Sequence, residues 1–535
     1  MIRSGSVERS SRSSTLAIAC FGIGVAAIAL VASVPGSPLH PVLPPGVEPG
    51  GPFRWLAGLL RVDDLHGSAL VAASVLSVAA SVMAFLFVLL ETWRGTVSLR
   101  TVGILAVAAH AIVLSLPLLV SRDVYSYIAY GSIAGIHHAN PYLQTPADFP
   151  HDAVAVLVGQ KWFSTPAVYG PLFTGFASIV VRVTHNLETQ VEVFRWTAAL
   201  ASLGTIALIA TTVRRAWPSR AAFAVAAFGL NPVVLFQSVA SGHNDLLVAL
   251  AVAGALALVL ARRDMLAVAT LALGTIVKAT AALPLLLLLV WCVSRAPAGR
   301  RARTLATHTG LAAVIGGAFA VPYLNLHDPT LGMMELAGHE GWLAPSRFFR
   351  RLLDGVSGNT LGVVARIAFA IALIVGVAWL ARVVWRAARS TEETRAGAPT
   401  DTPDDAGIAL GAAWGWSLLL LMLLGPVLLP WYVTWALPLV WVLPRVPRLV
   451  LLGTSVALGL SQWTAEPARF PTAYNANVLI GHYVITPVVI GLLGWLLVDG
   501  RRRWRGGRAL DDEQEIPRAG DDERRDRRSH AAGER

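Results

Sequence analysis

Hydrophobic residues fall in long runs along this chain, and short polar tracts separate the runs. The first three runs lie near residues 15–34, 67–91 and 101–120, and comparable runs follow up to about residue 498. A helix needs about 20 consecutive apolar residues to cross the hydrocarbon core of a bilayer. The pattern therefore predicts an all-α, polytopic integral membrane protein of about 13–15 transmembrane helices, several of them short.

Composition agrees with a chain embedded in lipid. Of 535 residues, 55% are hydrophobic and 14% are charged, and the mean hydropathy is +0.61, which is more apolar surface than one soluble core can bury. Both cysteines, Cys20 and Cys292, lie in or beside apolar runs, which argues against a disulfide framework. The net charge of +11 comes largely from arginine tracts between the runs. That distribution is typical of positive-inside topology, so no nucleic-acid partner is expected.

The arginine tracts also assign sides of the membrane. The predicted organisation is a cytoplasmic N-terminus (1–14), N-terminal spans with an outer loop (15–120), an extracytoplasmic loop with short surface helices and the candidate catalytic residue (121–167), a multi-span helical core (168–499) and a charged cytoplasmic tail (500–535). The topology of 168–213 stays open, because Arg214 and Arg215 follow its second run, where the alternation of sides requires the outer face.

The most informative polar stretch follows the third run directly. Its sequence is Ser121-Arg122-Asp123-Val124-Tyr125-Ser126-Tyr127. A carboxylate just past a hydrophobic helix lies at the boundary between the hydrocarbon core of the membrane and water, where its desolvation is costly. Such a residue is expected to have a functional role or a charged partner. Asp123 is therefore the leading candidate for a functional residue. Its plainer roles are an ion pair with Arg122 or a helix cap.

Further clusters of acid, histidine, lysine and aromatic residues fall on the same predicted face. Beyond Asp123 they comprise His151 and Asp152, His243 and Asp245, Lys278, His339 and Glu340, and Trp431 and Tyr432. The inner face carries mostly arginine and turn residues. This one-sided distribution favours an enzyme working at the outer surface over a transporter, whose polar groups belong near the middle of the bilayer.

Several of these residues have structural alternatives. Asp245 opens an apolar run, where an acid is favoured by the helix dipole. Trp431 and Tyr432 fit an ordinary aromatic belt at the membrane interface. His243 and His339 lack the ligand spacing of a metal site, which favours hydrogen bonding. No cofactor is expected, and the need for a divalent metal stays open.

Lysine is rare in this chain, which makes its positions informative. Of 43 basic residues only Lys161 and Lys278 are lysine, and both lie on the predicted outer face. A lysine ammonium is a compact charge suited to a phosphate oxygen. The alternative for each is chance placement or an anchor that snorkels to the membrane interface.

Several short motifs follow one another on this face. They are Asp123-Val124-Tyr125, Asn140-Pro141-Tyr142, Tyr169-Gly170-Pro171-Leu172, Gly242-His243-Asn244-Asp245, Val277-Lys278-Ala279-Thr280, and Leu429-Pro430-Trp431-Tyr432 before Trp435-Ala436-Leu437-Pro438. Taken in order, they resemble the polytopic glycosyltransferases of the GT-C type. Within that class the chain is most similar to the polyprenyl-phosphomannose-dependent α-1,6-mannosyltransferases that build the mannan of actinobacterial lipoglycans. The resemblance covers roughly residues 100–500.

The resemblance implies an inverting transfer of mannose from polyprenyl phosphomannose to a growing α-1,6-mannan in lipomannan synthesis, on the extracytoplasmic face of a bacterial plasma membrane. Asp123 matches the family's catalytic acid residue and would act as general base. Lys278 and Arg347 are the candidates for binding the donor phosphate. The candidate substrate-binding residues are Tyr125, Tyr169, His243, Asp245, His339, Glu340, Trp431 and Tyr432. The expected partners are the polyprenyl-phosphate sugar donor, a lipid-anchored mannan acceptor and membrane lipid.

Three other functions stay open at this point. A GT-C transferase of another sugar, such as arabinose, would share most of this layout. A transporter or flippase of a lipid-linked sugar predicts that function survives Asp123→Asn, because no proton is abstracted. A noncatalytic envelope scaffold predicts tolerance of both Asp123→Asn and Lys278→Ala. The identity of the sugar, the linkage, the acceptor and the oligomeric state are likewise open.

Overall fold

The computed structural model is a bundle of helices. It describes residues 2–44, 46–47, 52–325, 331–332, 339–341, 343–357, 359–395 and 405–506, and these residues form no β-strand. The α-helices of this part of the chain are α1 (Ile2–Ala32), α2 (Pro52–Leu59), α3 (Gly67–Trp93), α4 (Leu99–Leu114), α5 (Asp123–Gly135), α6 (Gln160–Phe163), α7 (Pro171–Val183), α8 (Leu187–Ala216), α9 (Ala221–Gly229), α10 (Asp245–Leu260), α11 (Asp264–Val277), α12 (Ala282–Arg295), α13 (Arg301–Ala320), α14 (Pro345–Ser357), α15 (Asn359–Arg395), α16 (Asp405–Leu424), α17 (Arg445–Gly459), α18 (Pro471–Ile480) and α19 (Thr486–Gly506).

Within the described residues, eight helical segments are long and apolar enough to cross a membrane. They are Arg12–Ala32, Gly67–Trp93, Leu187–Ala216, Pro218–Val239, Ala298–Tyr323, Leu361–Arg389, Gly407–Leu424 and Pro471–Arg505. Shorter apolar helices, among them α4, α7, α10 and α11, pack between them. The prediction of an all-α, polytopic membrane protein is therefore confirmed. The total number of crossings and their sides stay predictions.

Proline shortens the third apolar run. The sequence predicts a span over about 101–120, whereas α4 ends at Leu114. Pro117 lacks a backbone donor and its ring conflicts with a continuing helix. The chain then turns at Val120, whose φ is +63° and whose amide donates to the carbonyl of Leu39 at 2.8 Å. This turn delivers Asp123 to the start of α5.

The run near 168–183 forms a helix too short for a full crossing. α7 has 13 residues, which extend about 20 Å, whereas the hydrocarbon core is about 30 Å thick. α8, which follows, has 30 residues. The length of α7 is consistent with a partial crossing, and the topology of 168–213 stays a prediction.

The apolar run that follows Trp431 does not form the continuous helix that a span predicted there would need. Residues Pro430–Trp435 and Leu437–Leu439 form 3-10 turns, and the next α-helix begins only at Arg445. Pro430, Pro438 and Pro444 interrupt the apolar run, and each removes a donor that a continuous helix needs. The segment is nevertheless buried throughout, which holds its aromatic side chains firmly.

Helix α5 lies inside the protein and packs on α7. A Cβ atom at Gly131 would lie 2.6 Å from the carbonyl oxygen of Ala177, and one at Gly135 would lie 2.8 Å from that of Ser178. These two glycines, one turn apart, therefore let the two backbones touch. The loop after α5 carries 3-10 turns and α6, as the prediction of short helices in 121–167 requires.

Candidate active site

Four polar side chains meet where helices begin or break. Asp123 opens α5, His243 precedes α10, Asp245 opens α10, and Lys278 separates α11 from α12. We call these four residues the acid–lysine cluster. Lys278 has extended backbone angles, φ −156° and ψ 129°, so it divides the apolar run between Asp264 and Arg295 into two helices. His243 and Asp245 are fully buried, and Lys278 is 6% exposed.

Asp123 faces His243 across the cluster. Its Oδ2 lies 3.6 Å from Nδ1 of His243, slightly beyond hydrogen-bond distance. Burial raises the pKa of the Asp123 carboxyl to about 6, Asp245 adds to this rise, and Lys278 opposes it. The alternative ion pair with Arg122 does not form, because Arg122 binds Glu466 at 2.5 Å. Asp123 is thus a carboxylate held ready to accept a proton near neutral pH.

His243 is a neutral partner rather than a second cation. Its pKa lies well below the usual value because it is buried and Lys278 is nearby. The Tyr127 hydroxyl lies 3.3 Å from Nδ1, and the ring stacks on Trp431 with centroids 3.8 Å apart. Its Nε2 is buried with no hydrogen-bond partner among the described side chains and backbone. This ring can therefore still bind one polar group.

Asp245 and Lys278 form a buried ion pair. Nζ of Lys278 donates to Oδ1 of Asp245 at 2.7 Å, and Nε1 of Trp435 donates to the same oxygen at 2.6 Å. The ammonium also lies 4.9 Å from the ring centroid of Tyr432, and Tyr432 stacks on Trp435 at 4.1 Å. Asp245 is thus more than a helix-opening acid, and Lys278 reaches the site with its charge largely compensated.

The structure brings Tyr169 to the cluster and turns Tyr125 away from it. Tyr169 packs edge-on against Tyr127 with centroids 4.8 Å apart. The amide of Gly170, the next residue, donates to the carbonyl of Val277 at 3.0 Å. This bond holds the start of α7 against the residue that precedes Lys278. Tyr125 is fully buried and its hydroxyl donates to the carbonyl of Val42 at 2.8 Å, which gives it a packing role.

The remaining three predicted residues lie elsewhere, around a separate opening. His339 and Glu340 line a cleft of about 520 Å3, together with Lys161, Arg350, Asp354 and Arg366. We call it the charged cleft. Arg347 lies half-buried on α14, where Glu340 and Lys161 share its electrostatic environment. The sequence groups these residues with Asp123 by side of the membrane, but the fold gives them their own site.

Two members of the site were not singled out from the sequence as functional. Trp435 holds Asp245, and Tyr127 contacts both His243 and Tyr169. The spacing of Trp431 and Trp435, four residues apart, is a signal that could have indicated two aromatic side chains on one face. Among the described residues, no three His, Cys, Asp or Glu side chains come together as a metal site would require.

Apolar helices long enough to span a bilayer, together with a buried acid–lysine cluster where short helices begin, define a polytopic membrane protein with a polar site inside its helical core. Comparison with known sequences identifies the family. The model for "Alpha-(1->6)-mannopyranosyltransferase, N-terminal domain" matches residues 21–295. Since this is just over half of the chain, the protein belongs to that family, which confirms the resemblance of the motifs.

Two relatives carry the name alpha-(1->6)-mannopyranosyltransferase A. The protein of Mycobacterium tuberculosis is 27% identical over 368 residues, which cover 66% of this chain and 66% of the relative. That of Corynebacterium glutamicum is 27% identical over 167 residues, 31% of this chain and 34% of the relative. The chain thus matches just under two thirds of the first relative's length and about one third of the second's. No solved structure matches the chain.

Proposed function

We propose that this protein is a membrane mannosyltransferase. It transfers a mannosyl group from polyprenyl phosphomannose to a hydroxyl of a lipid-anchored α-1,6-mannan, on the extracytoplasmic face of the bacterial plasma membrane. The observation that carries the proposal is the half-buried Asp123, which faces His243 beside the buried Asp245–Lys278 pair within the segment that matches the mannosyltransferase family.

In the proposed reaction the acceptor hydroxyl oxygen attacks the anomeric carbon of the donor. The new bond joins that carbon to the acceptor oxygen, and the bond from the carbon to the phosphate oxygen breaks. Asp123 takes the hydroxyl proton as general base, and polyprenyl phosphate leaves with the bonding electron pair. Attack from the side opposite the leaving phosphate inverts the anomeric centre, so a β-linked donor gives an α-linked product.

Negative charge that develops on the leaving phosphate requires a cation nearby. Lys278 is the better placed of the two candidates, since its ammonium lies inside the cluster and Asp245 occupies only one of its three donors. Arg347 lies at the charged cleft, so it would reach the phosphate only from there. Trp431 and Tyr432 offer apolar ring surface to the sugar or the lipid, although His243 and Trp435 each cover one ring face.

Transfer of labelled mannose to a short α-1,6-mannoside tests this proposal. Membranes carry the wild type, Asp123→Asn, or the control Asp63→Asn, which changes an acid in the loop before α3. We expect Asp123→Asn to lower the transfer rate about 10²–10⁴-fold, the usual contribution of a general base, and Asp63→Asn to leave it unchanged. Labelled polyprenyl phosphoarabinose serves as the competing donor.

The fold of the variant needs its own measurement. Because the folded-state pKa of Asp123 lies above the value of 3.8 for a free carboxyl, the folded protein binds this proton more tightly than the unfolded chain does. The charged carboxylate therefore weakens the fold as pH rises through about 6. Asp123→Asn should keep or raise the melting temperature at pH 7.5. Equal transfer rates for the wild type and Asp123→Asn would show that Asp123 is not the general base. Translocation of the lipid-linked sugar without transfer of mannose would favour the flippase function.

A further inference from the structure

The charged cleft is built around one arginine that binds two carboxylates. Nε and Nη2 of Arg350 donate to the two oxygens of Glu340 at 2.6 and 2.7 Å, and Nη1 donates to Asp354 at 2.6 Å. The three side chains are 17–27% exposed. They form a hydrogen-bonded network with one net negative charge that is accessible from the cleft, and the two-bond contact with Glu340 fixes the orientation of the guanidinium.

The polar groups of the cleft are mixed in kind. Lys161 and Arg366 supply donors and positive charge, whereas Glu340 and Asp354 supply acceptor oxygens. A hydroxyl group both donates and accepts hydrogen bonds. A ligand with many hydroxyl groups can therefore bond to the donors and the acceptors of the cleft at once, whereas a compact anion would meet the two carboxylates as well as the cations.

An aromatic pair stands at one side of this network. The Trp162 ring stacks on His339 with centroids 5.8 Å apart and an angle of 27° between the planes, and Trp162 remains half-buried. The C–H groups of a sugar ring pack well on an aromatic face, which combines an apolar body with polar neighbours. Aromatic surface beside a carboxylate–guanidinium network is thus suited to a carbohydrate.

Both walls of the cleft adjoin segments that carry side chains next to the acid–lysine cluster. On one wall, Trp162 precedes Tyr169 by seven residues, which bounds their separation at about 25 Å. On the other wall, the amide of Gly341 donates to the carbonyl of Pro426 at 2.9 Å, five residues before Trp431. These links tie the cleft to the segments that hold Tyr169 and Trp431.

We propose that the charged cleft binds the sugar residues of the acceptor glycan that lie beyond the reacting one. Five of its lining residues, His339, Glu340, Arg350, Asp354 and Arg366, fall outside the segment that matches the family, residues 21–295, whereas Lys161 and the adjacent Trp162 fall within it. The family segment would thus hold Asp123, His243, Asp245 and Lys278 and share the binding of the acceptor with a later part of the chain. This inference rests on the proposed function, but the binding it describes is measurable without any reaction.

Acceptors of different length distinguish binding in the charged cleft from binding at the acid–lysine cluster. Transfer is measured with α-1,6-linked mannobiose and mannotetraose as acceptors for the wild type, Trp162→Ala, Trp162→Tyr and Asp354→Asn. The control Trp55→Ala removes an exposed tryptophan on α2, away from the cleft lining. We expect Trp162→Ala and Asp354→Asn to raise KM for mannotetraose roughly three- to tenfold, with kcat and the mannobiose KM unchanged. Trp162→Tyr should restore most of the loss, and Trp55→Ala should have no effect.

Binding of mannotetraose to the purified protein, followed by saturation-transfer NMR, supplies the second readout. Loss of binding in Trp162→Ala supports the proposal even if no acceptor is ever mannosylated, in which case the proposed function alone fails. Normal transfer with equal KM changes for both acceptors would overturn the cleft assignment and leave the proposed function intact. Displacement of bound mannotetraose by inorganic phosphate would overturn it as well, since the cleft would then be an anion site.

Discussion

The acid–lysine cluster and the charged cleft use similar residues in opposite ways. In the cluster, two carboxylates share one lysine inside the protein, and burial raises the pKa of Asp123 to about 6. In the cleft, Arg350 bonds to two carboxylates, Glu340 and Asp354, beside an accessible opening. The side chains of Asp123 and Glu340 are similarly exposed, 16% and 17%. What distinguishes them is pairing, because Glu340 accepts two bonds from a guanidinium, whereas Asp123 has only a contact of 3.6 Å with a neutral histidine.

This difference suggests a division of labour. The proposed chemistry needs a carboxylate whose proton affinity is set by its surroundings, and only a site shielded from water provides that. The proposed binding of acceptor sugars needs groups that exchange water for hydroxyls at little cost. The following three predictions test how far the two regions differ.

The largest effect is expected from breaking the buried pair. Lys278→Met or Asp245→Asn leaves one buried group without its partner, which typically costs about 3–5 kcal/mol. The double variant removes both groups and should lose much less than the sum of the two single changes. The loss of stability is measured as the free energy of unfolding in mixed micelles for the wild type, the two single variants and the double variant. Additive losses would show that the ion pair contributes nothing of its own.

The pH dependence of transfer should report the buried acid. Because the base must be deprotonated and its pKa lies near 6, kcat/KM should rise about tenfold per pH unit below this value and level off above it. His243 should add no second step near its usual pKa, because burial and Lys278 keep it neutral. A midpoint near pH 4 would mean that water reaches Asp123 freely.

The smallest effect is expected in the cleft. A double-variant cycle of Glu340→Gln and Arg350→Gln should give a coupling energy of about 1 kcal/mol or less, as for ion pairs near a surface, and salt should reduce it. The same unfolding assay measures this coupling energy, which then serves as the reference for the coupling energy between Asp245 and Lys278. A coupling as large as that of the buried pair would mean that the cleft is closed to water.

The sequence indicates the members of the cluster because each of them adjoins an apolar run. Asp123 follows one run, Asp245 opens another, and Lys278 interrupts a third. Residues at such boundaries collect at one end of a helical bundle. The rarity of lysine adds a signal that hydropathy alone does not give. The all-α fold follows from the same runs.

What the sequence does not predict are contacts set by tertiary packing. Tyr125 lies beside the site residues in sequence, but its hydroxyl binds Val42. Trp435 reaches Asp245 only because residues 430–439 form 3-10 turns instead of a span. His339 and Arg347 share a predicted face with Asp123, and a face of a membrane protein holds more than one site. The arginine pattern predicts only on which side of the membrane a residue lies. It does not predict where in the plane of the membrane the residue lies.

The scarcity of lysine has a practical consequence for labelling. The chain has only two side-chain amines, and they differ sharply in access: Lys161 is exposed at the rim of the charged cleft, whereas Lys278 is 6% exposed. Partial desolvation and the nearby Arg347 also lower the pKa of Lys161, which increases the reactive unprotonated fraction of its amine. An amine-selective fluorophore therefore marks one side chain of the native protein, at the rim where acceptor sugars are proposed to bind.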